Sequence, residues 1–535
     1  MTKYIVVLGT LLSGLGKGLI TSSIARILKW YNVNVMPFKF DGYLNYDCGT
    51  MNPYRHGEVF VLDDGSEVDM DFGNYERFLN INMNKDFSLT GGKLFKDIIE
   101  KERRGEFLGE DVQVIPHLVN EILAKIKNIS NKYNLDVLVI EVGGTVGDLE
   151  NSYFIEAMRH LALEEKVIFF VVTYLPKLRV VGEQKTKPAQ LAIKALMQMG
   201  IRPDFIVTRS EEEIEPNIKK KLALFSNVKD DHIIDDHDLD TIYAIPLHFM
   251  EQGLDNLLLN ELDIKGEINN EELKKWQERV ERLRNAKKRV SIAIVGKYTK
   301  LHDSYASLIE AIHHAEAELG IIVDIKWVES EELEINNDRV KELLNGIHGI
   351  IVPGGFGKRG IEGMINAIEF ARTNKIPYLG LCLGLQLMSI EYARNVCNLE
   401  GANSTEFDPN TKYKVVDLLP EQLNVIYKGG TMRLGLWDSK LKINTKAYES
   451  YKKEIIQERH RHRYEVNNEY REILENNGLI ISGTTLDNKL VEFIEWSNSF
   501  GIATQAHPEL KSRFLEPSPL FVSFIKEAAK QASIL

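Results

Sequence analysis

The stretch that most restricts how this chain folds is Ile376-Pro-Tyr-Leu-Gly380-Leu-Cys382-Leu-Gly384-Leu-Gln386. An apolar run breaks at a Cys held between two glycines and resumes as a helix, the pattern of a nucleophile elbow. Glycine on both flanks permits the tight strand-to-helix turn, exposes the sulfur and frees backbone N–H groups for an oxyanion. The helix N-terminus favours thiolate over thiol. By itself the pattern is equally compatible with a buried structural Cys in an ordinary turn.

Two distant stretches complete a reactive centre. Ala503-Thr-Gln-Ala-His507-Pro-Glu509 sets a general base two residues from a carboxylate that can orient it, and with Cys382 they make a Cys-His-Glu triad. Gly349-Ile-Ile-Val-Pro353-Gly354-Gly355-Phe356-Gly357 is a strand ending in a glycine turn, a further source of N–H donors. The three segments together resemble the class I glutamine amidotransferases. That resemblance implies glutamine hydrolysis through a thioester, with the ammonia delivered to a second site.

The second site has room: 535 residues exceed one hydrophobic core and predict several domains. A net charge of -12 without a long Lys/Arg block argues against nonspecific nucleic-acid binding, so anionic ligands need local cationic pockets. Cys48, Cys382 and Cys397 are a sparse, odd set that suits a reducing compartment. The longest apolar run, 167–175, falls short of the roughly 20 residues that span a bilayer. With no signal-peptide pattern, these features predict a cytoplasmic protein with no membrane partner.

Residues 4–8 read as a strand that enters Gly9-Thr-Leu-Leu-Ser13-Gly14-Leu-Gly16-Lys17-Gly18, and a helix follows from about Leu19 to Trp30. This is either a phosphate-cradling loop or a plain glycine-rich turn, because Leu11 replaces the first glycine of the strict pattern and Gly18 its hydroxyl. Asp69 and Asp71 alternate as on one strand face and suit a hard cation, or are solvated loop acids. Glu141 ends the apolar strand 137–142 beside a glycine turn, where open α/β sheets place ligands, and is a second candidate for the metal. Lys185-Thr-Lys-Pro-Ala-Gln190 offers cations and an amide to a triphosphate and a base, or is a solvated basic turn.

Apolar strands stop between about Gly266 and Arg289, and a charged helical stretch takes over. The expected organisation is therefore residues 1–265, a helical linker 266–289, and a second domain 290–535. The expected fold class is α/β with two doubly wound, mostly parallel sheets.

Along essentially its whole length the sequence resembles the CTP synthases. The resemblance rests on Ser13-Gly-Leu-Gly-Lys-Gly, His56-Gly-Glu-Val-Phe-Val-Leu-Asp-Asp-Gly, Gly73-Asn-Tyr-Glu-Arg-Phe, Glu102-Arg-Arg-Gly, Glu141-Val-Gly-Gly-Thr-Val-Gly-Asp, Lys185-Thr-Lys-Pro, Gly401-Ala-Asn-Ser-Thr-Glu-Phe and Arg459-His-Arg-His-Arg-Tyr. It implies a P-loop, dethiobiotin-synthetase-like amidoligase that aminates UTP to CTP at the expense of ATP. It also implies Mg²⁺, GTP as activator, CTP as inhibitor, and a homotetramer able to form filaments.

Carried over by position, Gly14, Leu15, Gly16, Lys17, Gly18 and Leu19 match the ATP loop, with Asp71, His237, Asp238 and Leu239 also on the ATP side. Ser13, Lys185, Thr186, Lys187, Pro188, Ala189, Gln190 and Lys221 match UTP contacts, and Asp148, Leu149 and Glu150 match positions used by CTP. Asp71 and Glu141 match the metal ligands, and His56 a residue lining the ammonia tunnel. Gly355, Leu383, Gly384, Leu385, Gln386, Glu406 and Arg463 match the oxyanion and glutamine pocket, in which Arg463 suits a carboxylate and Glu406 an ammonium.

The chain departs from the pattern at Ala189, Leu191, Asn151 and Ala306, which bear on pyrimidine binding, CTP inhibition and coupling between domains. Competing readings are an amidoligase with another acceptor, as in the cobyric acid synthases, and a polymerising scaffold. The intact Cys382, His507 and Glu509 argue against a scaffold alone.

Overall fold

The computed structural model describes residues 2–178, 182–418, 422 and 430–535. Two compact units are evident. The first comprises Met1–Asp47 and Asn74–Val280, the second Cys48–Gly73 and Glu281–Leu535.

The first unit is built on seven strands: β1 (Lys3–Gly9), β2 (Val35–Asp41), β3 (Ser88–Thr90), β4 (Val137–Val142), β5 (Val167–Tyr174), β6 (Phe205–Ser210) and β7 (Ile233–His237). Their order is β7-β6-β5-β1-β4-β2-β3, and every neighbouring pair is parallel. Parallel strands covered on both faces read as continuous apolar runs, which is why Ile5 to Leu8 and Val137 to Ile140 are all buried. From β1 the chain moves to β2 on one side and, after β4, crosses to β5 on the other, so the carboxyl ends of β1, β4 and β5 border the switch-point crevice. Strand β7 went unforeseen in the sequence because Asp235, Asp236 and His237 interrupt its apolar run.

The second unit has nine strands: β8 (Lys288–Gly296), β9 (Ile321–Glu329), β10 (Gly349–Val352), β11 (Tyr378–Leu381), β12 (Arg433–Leu441), β13 (Ile455–His462), β14 (Leu479–Thr484), β15 (Val491–Trp496) and β16 (Gly501–Thr504). Their order is β9-β8-β10-β11-β16-β15-β14-β12-β13. The first five are parallel, and the pairs from β16 to β13 are antiparallel. Alternation along the strands feeds two cores. Ala293, Val295, Ile350 and Val352 pack on one face, and Ile292, Ile294, Ile351 and Leu379 on the other.

The 48–73 stretch joins this second core by carboxylate contacts. Within it Phe60–Val61 pairs antiparallel with Glu67–Val68. Asp63 lies 2.6 Å from the wholly buried Arg459, Glu67 lies 2.9 Å from Arg461, and the Ser307 N–H donates to Glu58 at 3.0 Å. Asp69 and Asp71 do not share a strand face: Asp71 opens the helix Asp71–Leu79, and its N–H donates to Asp69 Oδ1 at 3.0 Å. An acidic pair at a helix start satisfies free N–H groups and the dipole, which outweighs the short alternation. The charged stretch after Gly266 forms the helix Asn270–Asn285, whose Trp276 packs edge-on against Trp30 in the first unit. Among the described residues no helix is long and apolar enough to cross a membrane.

Candidate active site

Strand β11 delivers Cys382 to the tip of a turn and the helix Leu383–Asn395 starts at once. Cys382 sits at φ 52°, ψ -97°, a left-handed conformation that costs a non-glycine residue energy and is typical of an elbow nucleophile. Its N–H donates to the Thr504 carbonyl at 2.8 Å and its carbonyl accepts from Leu385 and Gln386 at 3.1 and 3.3 Å. The glycines are a steric demand. A Cβ on Gly384 would meet the Val352 oxygen at 2.3 Å, and one on Gly380 the Gly384 backbone at 2.8 Å.

The segment after β16 returns His507 and Glu509 to the same place. His507 Nδ1 lies 2.7 Å from Glu509 Oε1, and the ring is so close to the 354 turn that a Cβ on Gly354 would meet its Cε1 at 2.8 Å. Burial would pull the imidazole down, but Glu509 and the Cys382 sulfur outweigh it and hold His507 well above its ordinary range. Gln505, which the sequence reading passed over inside its own motif, donates to Cys382 Sγ at 3.6 Å and pairs with Gln386 at 3.3 Å.

Cys382, His507, Gly355, Tyr298, Arg461 and Arg463 border one cavity of about 410 Å³. Arg463 reaches Gln422 Oε1 at 2.5 Å and Thr431 Oγ1 at 3.1 Å. Glu406 accepts the Gly357 N–H at 2.7 Å, and burial raises its carboxyl pKa. Beside it the buried Lys297 donates to the carbonyls of Phe356 and Gly357 and is pushed down to about 8 by burial, Glu406 opposing. Lys297 also escaped the sequence reading; its one signal was its place just after β8. Leu383 and Leu385 are buried in the helix, and the Gln386 amide donates to the Tyr464 carbonyl at 3.0 Å. His56 ends the short helix Pro53–His56 exposed, while its neighbours Pro53 and Glu58 border the cavity.

The first unit presents its polar side chains at the carboxyl edge of its sheet. After β1, Gly14 and Gly16 take φ 75° and 79°, and so does the non-glycine Leu11 at φ 69°. Ser13 is exposed in this loop, Leu15 is buried, and Gly18 and Leu19 lie in the first turn of the helix Lys17–Trp30. The Lys17 ammonium crosses back over Gly9, where a Cβ would meet it at 2.9 Å, and donates to the Gly144 carbonyl at 3.0 Å. Lys39 and Glu141 are register partners on β2 and β4, and the Lys39 ammonium is 3.7 Å from both Asp41 and Glu141. Tyr75 donates to the other Glu141 oxygen.

The turn after β4 is tied by Asp148, which accepts the Thr145 N–H at 2.7 Å, and by Asn151, whose amide donates to Gly143 and Thr145 carbonyls at 2.9 and 3.0 Å. Asn151 thus buttresses the turn from a buried position, while Leu149 and Glu150 are exposed. Lys185 pairs with Glu183 at 2.6 Å, Gln190 donates to Thr186 at 3.0 Å, and Lys187 and Pro188 open the helix Lys187–Gln198. Ala189 is fully buried there and Leu191 is exposed, whereas Lys221 is exposed on the helix Pro216–Ser226. His237 closes β7 and Asp238 follows it, pairing with Arg209.

An elbow thiol with a His-Glu partner on a half-parallel sheet defines a glutamine-amidotransferase type of centre, here carried on one chain with a second, wholly parallel α/β unit. Sequence comparison agrees with both halves: residues 300–527 match the class-I glutamine amidotransferases and residues 3–264 the CTP synthase N-terminus. The CTP synthase of Caldanaerobacter subterraneus is 50% identical over 98% of this chain and 98% of its own, and that of Pyrococcus abyssi is 50% identical over 99% and 98%. The solved glutaminase domain of Trypanosoma brucei CTPS, with bound acivicin, is 40% identical over 45% of this chain and 94% of its own, at a TM-score of 0.43. The chain belongs to the CTP synthase family, and with it to the glutamine-hydrolysing ligases.

Proposed function

We propose that this protein converts UTP to CTP, using ATP and ammonia drawn from glutamine. The observation that carries the glutaminase half is the gathering of Cys382 and the His507–Glu509 pair on one cavity. The Cys382 thiolate attacks the side-chain carbonyl carbon of glutamine, and N–H groups of Gly355 and Leu383 receive the oxyanion. His507 protonates the departing ammonia, and water then attacks the thioester, giving glutamate and regenerating the thiol. Arg463 holds the substrate carboxylate and Glu406 its ammonium, with Gly384, Leu385 and Gln386 shaping the pocket.

In the synthetase half, Gly14 to Leu19 cradle the ATP phosphates and His237, Asp238 and Leu239 meet the adenine. Ser13, the Lys185–Gln190 segment and Lys221 hold UTP, and Asp148, Leu149 and Glu150 serve the inhibitor CTP. ATP phosphorylates O4 of the uracil ring, and ammonia displaces the phosphate at C4. Lys17 and Lys39 offset the charge that develops on the transferring phosphoryl group. The donor set fits Mg²⁺: hard carboxylate oxygens, with Glu141 only 1% exposed yet already compensated by Lys39 and Tyr75. Asp71 and Glu141 would hold the ion, which when bound screens the phosphates.

This reading divides the chain functionally at 1–265, 266–289 and 290–535 and includes internal ammonia delivery past His56. It also includes GTP activation and a cytoplasmic homotetramer able to form filaments. The test is CTP formation from UTP and ATP, with glutamine or with ammonium, for the unaltered chain and Cys382→Ala. The variant should lose the glutamine-driven reaction and keep the ammonium-driven one. A folded parent that makes no CTP from either nitrogen source would overturn the reading.

A further inference from the structure

Strand β7 ends on Asp235-Asp236-His237, so Asp235 and His237 share a face, and the helix Ile245–Glu251 brings His248 to them. Asp235 Oδ2 lies 2.5 Å from His237 Nδ1 and 3.4 Å from His248 Nε2, and the two rings stand at 81° with centroids 4.9 Å apart. These three ligand atoms all fall within 4.8 Å of one another, an arrangement that no other His, Cys, Asp or Glu trio among the described residues attains.

The surroundings hold the trio in place. The Asp235 carboxylate is buried, and its other oxygen accepts the Ile214 N–H at 3.1 Å. Gln252 brackets the Asp235 backbone, accepting its N–H at 2.8 Å and donating to its carbonyl at 2.9 Å. Glu251 stands 3.8 Å from the far ring nitrogen of His248, on the side where an outer carboxylate steadies a metal-bound imidazole. His248 Nε2 is buried and meets Asp235 Oδ2 at 3.4 Å, a looser contact than the 2.5 Å of His237. A carboxylate oxygen facing two imidazole nitrogens is a donor set that a borderline metal ion takes.

We propose that Asp235, His237 and His248 form a binding site for one Zn²⁺ ion, which clips the end of β7 to the helix Ile245–Glu251, the His237 ring going to the metal and its backbone being left for the adenine. Two imidazole nitrogens and one carboxylate select a borderline transition ion over Mg²⁺. Bonds of about 2.0–2.1 Å in tetrahedral geometry set ligand atoms about 3.3 Å apart. The Asp235–His248 pair already has this spacing, and the Asp235–His237 pair reaches it by opening less than about 1 Å. Water fills the fourth position.

The test uses the full chain carrying Cys382→Ala, so that the elbow thiol cannot capture metal. It is stripped with chelator and kept in excess Mg²⁺ to occupy carboxylate sites. Titration with Co²⁺ should give visible d–d bands of nitrogen and oxygen ligation at one ion per chain, bleached by Zn²⁺, and Zn²⁺ should raise the melting temperature. Adding His248→Ala should weaken binding at least tenfold and remove the thermal shift; His248→Asn serves if the alanine variant does not fold. Absence of d–d bands in the Cys382→Ala chain would overturn the site, leaving Asp235 as a plain bridge between two histidines. So would bands and affinity that His248 substitution leaves unchanged.

Discussion

At the scale of single residues, the charge on His507 is owed to its neighbours, and its pH behaviour follows from that debt. Glu509 and Cys382 raise the imidazole against burial, which favours its protonated form, the one able to protonate ammonia. In Glu509→Gln the carboxylate is gone and the imidazole pKa falls. The alkaline limb of kcat/KM for glutamine should therefore move to lower pH, with a rate loss of about 10²-fold or more, while ammonium-driven CTP formation is unchanged. A profile that keeps its alkaline limb would show that Glu509 does not set the charge. Lys297 behaves oppositely. Burial brings it down to about 8, so above that pH it loses the charge that strengthens its hydrogen bonds to the Phe356 and Gly357 carbonyls. KM for glutamine should rise above pH 8, and Lys297→Met should raise KM at every pH and abolish that rise.

At the scale of elements, the elbow works because two glycines let a strand, a turn and a helix meet closer than side chains allow. Gly384→Ala drives a methyl into the Val352 carbonyl, and overpacking of this kind costs about 1–3 kcal/mol; denaturant unfolding should register that loss together with a failed glutaminase. Strands β12, β13 and β15, with Glu465 on the short strand Tyr464–Val466, carry a second close arrangement. The buried Arg433 bridges Glu465 at 3.0 Å and Glu492 at 2.7 Å, next to the buried His460 and His462. Burial raises both carboxyl pKa values while Arg433 pulls them back. Arg433→Met would strand two acids and cost about 3–5 kcal/mol. The carboxyls would then fold more readily in their protonated form, so the deficit should shrink as pH is lowered and grow as it rises.

The elbow and the glycine turn were legible because Gly-x-Cys-x-Gly and Pro-Gly-Gly encode backbone shape directly. The Arg433 cluster, Lys297 and β7 were not, because a buried polar group shows itself only through partners distant in sequence. Asp71 misled for the related reason that two acids spaced by one residue fit a strand face and a helix start alike.

At the scale of the whole molecule, the two compact units do not coincide with two halves of the sequence. Residues 48–73 supply Asp63 to Arg459 and Glu67 to Arg461, cations that the 281–535 stretch would otherwise bury without those acids. Asp63→Asn should weaken the second unit by about 1.5–3 kcal/mol, the range for a hydrogen bond to a charged group. A fragment of residues 281–535 should melt lower than the same unit in the intact chain and recover when a 48–73 peptide is added; equal melting temperatures would deny the stretch this part. A single break in the gene between the two larger parts places residues 48–73 on one product and the 281–535 cations they meet on the other. A split that keeps each compact unit whole would have to move or duplicate the 26 residues of Cys48–Gly73.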